Sequence, residues 1–285
     1  MLTVREVQVR DWQHLVQISD DLLQSAGTWI FRGQREATWG LTTSLDRALA
    51  DFGIRPQAAE RTEVCLVCRF RRQAHHYVGA ITPRNEQVLE WLALMQHFGA
   101  PTRVQDWTYS FFVAAFFALE TASGPSVVWA LRRDLLLSAL DKKLPGPLVS
   151  NLLLEGYKDN AESFTEIFAH DPAIPLVCPV NPYRLNERLS IQQGLFLVPG
   201  NISLPFEDNL SASLDDAENN AATTRFVFPG SLQFRSEALA RLHGMNINAA
   251  TLFPGLDGFA RSLRTMLAGR STIPSPKTWA AELQS

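Results

Sequence analysis

The chain has 285 residues, 46% hydrophobic and 19% charged, enough to bury a sizeable core and too apolar for general disorder. A net charge of -3 argues against a broad electrostatic footprint on duplex nucleic acid, although a local basic cluster stands at Arg69, Arg71 and Arg72. Three cysteines suggest no framework of disulfides, and Cys65 and Cys68 read as ordinary residues on one helix face rather than as a metal or redox pair.

The opening residues lack the layout of a secretory signal and no segment has the unbroken apolar length of a membrane helix, so a cytoplasmic protein without membrane contact is expected. Apolar residues from Trp12 to Leu23 predict a helix capped by Asp11 and closed by Gly27. Thr28 to Gln34 predicts a strand that delivers Arg32 near its end, Thr38 to Leu41 a weaker one, and Thr43 to Asp46 the start of a helix. Helical spacing continues from Gln57 to Val78 and, after Pro83, from Asn85 to Phe98. Gly99 can end that helix and Pro101 cannot continue it.

Beyond it, Ser110 to Thr121 predicts a buried helix with small residues at every turn, Ser126 to Leu131 a buried strand, and Arg133 to Lys142 a helix stopped by Pro145. The prolines restrict the strand at 173–180 to a sheet edge, Gly194 to Gly200 is a better strand, and Arg225 to Pro229 resumes the sheet before a helix from Ser231 to His243. Residues 206–224 are expected as an exposed insertion and 269–285 as a polar C-terminal tail beyond a domain at 1–268. These elements predict an α+β fold, a mixed or antiparallel sheet core with a helical N-terminal half.

The densest chemistry lies between Glu90 and Thr108, where His97, Thr102, Arg103, Asp106 and Thr108 occupy a helix end, a tight connection and a short strand. Polar groups on a loop held by rigid elements suit binding or catalysis. Arginine offers a donor fork matched to phosphate, so Arg32 is a candidate anchor, and the adjacent Gly33 would let a ligand approach the backbone. Arg103 and Asp106 are alternatively a salt bridge that fixes the loop, and Trp107 alternatively belongs to the core. His75 and His76 have no acidic or cysteine partner nearby and suggest no metal site.

Four blocks resemble the FRG domain of bacterial and phage proteins: Phe31-Arg32-Gly33-Gln34 with Trp39 and Leu41; Gln96 to Arg103 with Asp106-Trp107-Thr108; Ala115 to Ala118; and Gln193 to Phe196. A weaker fifth runs from Thr251 to Gly258. A more distant similarity is to the ADP-ribosyltransferase fold, in which an arginine on the first strand grips the dinucleotide, a Ser or Thr ends a second strand, and a Glu or Gln begins a later one. The order Arg32, Thr108, Gln193 resembles that pattern.

The resemblance implies NAD as a substrate and ADP-ribose transfer to a macromolecular acceptor, protein or nucleic acid, or to water, as in a toxin or phage-defence effector. It implies catalytic roles for Arg32, Thr108 and Gln193; by their own chemistry His97, on a ribose hydroxyl, and Asp106, orienting His97, join that set. Binding would fall to Arg32, Gly33, Gln34, His97 and Arg103, with Trp107 or Tyr109 stacking on a ring. The departure is Gln193 where an active transferase often has a glutamate, since a neutral amide cannot act as a base. A non-catalytic nucleotide or phage-protein sensor is the alternative. A third reading is a metal-independent nuclease with His97 as base, Asp106 as orienter and Arg103 on the phosphate.

Overall fold

A computed structural model describes residues 2–78, 82–147, 161–168, 173–182, 187–214 and 222–268. The expected tail at 269–285 lies outside the described residues. Among those described, the helices are α1 (Trp12–Gln24), α2 (Ser44–Asp51), α3 (Ala59–Val78), α4 (Val88–His97), α5 (Phe111–Leu119), α6 (Arg133–Lys143), α7 (Ala161–Phe168), α8 (Glu187–Ile191), α9 (Phe206–Ser213), α10 (Leu232–Gly244), α11 (Ala249–Leu252) and α12 (Leu256–Met266). The strands are β1 (Arg5–Gln8), β2 (Trp29–Gln34), β3 (Gln105–Thr108), β4 (Ser126–Arg132), β5 (Val177–Val180), β6 (Gly194–Pro199) and β7 (Thr223–Phe228).

The fold is α+β: a seven-stranded mixed sheet in the order β1-β7-β4-β2-β3-β6-β5. Only β1 and β7 pair in parallel; the other neighbours are antiparallel. Alternation along the central strands sorts their side chains between two cores, as a period of two demands. On β4, Val127, Trp129 and Leu131 join one core, with Leu92 and Met95 of α4 and Phe164 of α7. Val128 and Ala130 join the other, with α1, α5 and α10. Buried on both faces, β4 reads as an uninterrupted apolar run.

Local signals place most elements. Asp11 caps α1 by accepting from His14 N, Thr43 and Asp46 form a capping box on α2, and Gly99 takes a positive φ of 78° after α4. Strand β5, with Pro179 inside it, lies at the sheet edge as its prolines require.

Two expectations are corrected. Thr38 to Leu41 is not a strand; its backbone is tied by side chains, with Leu41 N donating to Glu207 Oε1 at 2.8 Å and Gln34 Nε2 donating to the Gly40 carbonyl at 3.1 Å. Nor is 206–224 an exposed insertion. Phe206, Asn209, Leu210 and Ser213 of α9 are buried, and Ala222 and Thr223 lead into β7 as buried residues. The polar residues that suggested exposure work inside: Asn209 brackets the backbone of Asn201, and Ser213 Oγ accepts from Val177 N at 2.6 Å. Residues 215–221 of that expectation lie outside the described residues.

Candidate functional site

Strands β2 and β3 are neighbours in the middle of the sheet, yet they pair at a single position, Phe31 with Thr108. Beyond it they part, leaving an opening of about 210 Å³ lined by Arg32, Asp106, Trp107, Phe117, Arg188 and Gln192 among others. A second cavity of about 30 Å³ adjoins it, sharing Asp106, Arg188 and Gln192 and adding Gln96 and His97.

Arg32 is half-buried at the split. Its guanidinium donates from Nη1 to the Asp106 carbonyl at 2.6 Å, an acceptor that strand pairing would otherwise have engaged, while its buried Nε has no hydrogen-bond partner. Burial lowers its pKa from 12.5 to about 10; the Asp106 charge opposes that and Arg47 adds to it. Arg32 is therefore a cation at neutral pH with unspent donor capacity.

Arg188, on α8, is the other cation. Its guanidinium lies 4.5 Å from the Phe253 ring centroid and forms no ion pair among the described residues. Burial lowers its pKa, Asp106 raises it and Arg261 lowers it further. Among the described residues, Asp106 is the one acidic side chain lining either cavity. Gln96 fixes it, donating from Nε2 to Oδ2 at 2.6 Å while its own Oε1 accepts from Thr102 Oγ1 at 2.7 Å. One amide thus links Asp106 to Thr102 across the connection from α4 to β3.

His97 borders the smaller cavity. Burial is the largest cause of its lowered pKa, Arg188 lowers it further and Asp106 raises it, so the ring is neutral at neutral pH and available as an acceptor. A histidine whose folded pKa is depressed favours the fold above its unfolded pKa of about 6.5 and withdraws that support as pH falls towards the folded value. In an NMR titration of the ring, Arg188→Gln is expected to raise the His97 midpoint and Asp106→Asn to lower it. Midpoints unmoved in both variants would show that the three groups do not share one field.

Several expected site residues have other duties. Gly33 lines the opening and also serves packing: a Cβ there would stand 2.0 Å from the Ala114 carbonyl oxygen and 2.7 Å from Ala118 N, so the glycine admits α5 against the sheet. Gln34 is buried and occupied, accepting from Trp129 Nε1 at 2.8 Å as well as holding Gly40. Arg103 does not meet Asp106. It is buried against Glu63, donating from Nε to Oε2 at 2.6 Å and pairing through Nη2, while Nη1 reaches the Phe168 carbonyl at 3.1 Å. The loop salt bridge and the phosphate role expected of Arg103 are both replaced by that pair.

Thr108 is buried at the single point of strand pairing, where Oγ1 donates to the Gln192 carbonyl at 2.7 Å and accepts from Ser110 N at 3.0 Å. Trp107 is a core residue that also forms a wall, its indole donating to Gln105 Oε1 at 2.8 Å. Tyr109 does not line the opening; its ring lies beneath Arg133. Gln193 is also outside. It sits at a φ of 48° in the turn before β6, its side chain exposed and its carbonyl accepting from Tyr109 N. The glutamine of the opening is Gln192, whose Nε2 donates to the Leu252 carbonyl at 2.8 Å.

The structure therefore brings together Arg32, Gly33, Asp106, Trp107, Thr108 and His97 from the sequence and adds Gln96, Arg188 and Gln192. Adjacency to the His97 motif marks Gln96; Arg188 has no sequence signal, because a charged residue on a five-residue helix reads as surface. No helix among the described residues is long and apolar enough to cross a membrane. No curated protein and no solved structure matches the chain. Residues 27–126, which hold Arg32, His97, Asp106 and Thr108 but stop short of Arg188 and Gln192, match the FRG domain family, and the chain carries an FRG domain at that place.

Proposed function

We propose that the opening between β2 and β3 binds NAD as a substrate and that the protein transfers ADP-ribose from it to a macromolecule or to water. The observation that carries this reading is the pair of guanidinium groups, Arg32 with an unpartnered Nε and Arg188 without an ion pair among the described residues, facing one opening beside a single carboxylate of its described lining. Two such cations repel until an anion joins them, and a pyrophosphate meets both forks. The opening has the volume of one nucleoside end rather than a whole dinucleotide, since pockets that enclose a ligand start at about 300 Å³. The second nucleoside would extend towards solvent.

Breaking the bond between nicotinamide and ribose leaves with the nicotinamide the electron pair that neutralises its ring, and positive charge gathers on the ribose. The Asp106 carboxylate, held by Gln96, is placed to offset that charge electrostatically. The acceptor oxygen forms the new bond to the ribose and gives up its proton, and the neutral His97 is the base in reach of the same cavity.

The position of Gln193 outside the opening favours a second reading, a nucleotide sensor without turnover. The nuclease reading loses Arg103, which is committed to Glu63. Incubation with NAD, with calorimetry for binding and mass spectrometry for released nicotinamide and for ADP-ribose added to lysate protein or nucleic acid, separates these. Release that disappears in Arg32→Ala, with the circular dichroism spectrum unchanged, supports the transferase. Saturable binding without release moves the assignment to the sensor, and binding unaffected by Arg32→Ala overturns the site itself.

A further inference from the structure

Away from the β2–β3 opening, α3 and α4 enclose a groove of about 510 Å³. From α3 it takes Leu66, Arg69, Phe70, Gln73, Ala74 and Tyr77, a stripe at three- and four-residue spacing on one helix face. Met95, Phe98 and Pro101 close the other side. Tyr77 is 85% exposed and Phe98 61%, so two aromatic rings stand in water at one groove. A solvated pair of large rings on a contiguous apolar surface marks a contact site.

The charge along the second half of α3 is one-sided. From Val64 through Asn85 the sequence holds no Asp or Glu, although the whole chain is net negative. Arg69, in the groove lining, and Arg72, three residues on and outside that lining, are exposed without an ion pair among the described residues, and His75 and His76 are exposed further along the helix. Arg71 is already engaged, over the Trp91 ring and donating to Asn85 Oδ1. Aromatic platforms edged by unpaired arginines fit a chain of stacked bases on a polyanionic backbone, because every base has a π-face and every linkage a phosphate. An apolar protein segment would use the rings but leave the cations idle.

We propose that this groove docks single-stranded nucleic acid, the bases stacking on Tyr77 and Phe98 and the phosphates meeting Arg69 and Arg72. The groove and the smaller cavity that adjoins the β2–β3 opening meet at the end of α4, where Gln96 and His97 face that cavity and Phe98 the groove. A strand held there lies beside His97. That it serves as the ADP-ribose acceptor rests on the function proposed above; that it binds does not.

The test is fluorescence anisotropy with a labelled oligouridylate of about 16 nucleotides. Expected is binding that weakens about tenfold or more between 50 and 200 mM salt. Arg69→Glu with Arg72→Glu should weaken it at least about tenfold and flatten the salt dependence. Tyr77→Ala with Phe98→Ala should weaken it by a similar factor and leave the salt slope unchanged. Circular dichroism checks that both double variants fold, and Arg32→Ala should bind as the parent does, so a failure of the NAD reading leaves this result standing. Absent binding, or binding indifferent to both double variants, overturns the proposal. So does sedimentation showing a dimer of the parent that Phe98→Glu dissolves, which would give the groove to a second copy.

Discussion

Replacing Glu63 with alanine is expected to cost the fold about 3–5 kcal/mol, the usual loss when one partner of a buried ion pair is removed. Glu63 is 4% exposed and Arg103 6%, so neither charge has water to fall back on. The carboxylate also accepts from the Arg103 backbone N–H at 3.1 Å, so its loss strands a main-chain donor together with the guanidinium. Because Arg103 reaches on to the Phe168 carbonyl, the pair ties together α3, the loop after α4 and the end of α7. Against a total stability of about 5–15 kcal/mol, that is a large fraction. Urea denaturation at pH 7 measures it. Arg103→Met added to Glu63→Ala should recover part of the loss, since the stranded cation goes; a single variant within about 0.5 kcal/mol of the parent would contradict the assignment.

Gly33→Ala should be comparably damaging for a different reason. The added methyl group would enter the backbone of α5, at Ala114 and Ala118, and backbone atoms cannot rotate away as a side-chain tip can. Overpacking a core costs about 1–3 kcal/mol, and the upper end or beyond is expected here because a whole helix has to shift. That helix carries Phe117, a wall of the opening, so ligand binding should fall along with stability. A melting temperature and NAD affinity both equal to the parent would show that α5 yields freely.

The fold was legible wherever a local signal decided it. The Asp11 and Thr43 caps, the apolar run of β4 and the prolines of β5 each act within a few residues. The site was legible in part, and its misreadings share a cause. Arg103 looked towards Asp106, three residues on, but its partner Glu63 lies forty residues earlier on a helix whose face toward the loop no local pattern reveals. Gly33 beside an arginine marks the opening it lines, but its second duty, the close contact with α5, has no local signal. Gln192 and Gln193 are equivalent as letters; the positive φ of Gln193 turns one inward and the other out. Asn209 and Ser213 made α9 look like surface because burial of a small polar residue depends on partners distant in sequence.

The single paired position between β2 and β3 also has a mechanical meaning. It divides the sheet into a four-strand plate, β1-β7-β4-β2, and a three-strand plate, β3-β6-β5, joined at Phe31 and Thr108 as by a rivet. Arg32 belongs to one plate; Asp106 and Trp107 belong to the other. Whatever lodges between them acts as a strut across the joint, so filling the opening and stiffening the sheet become the same event.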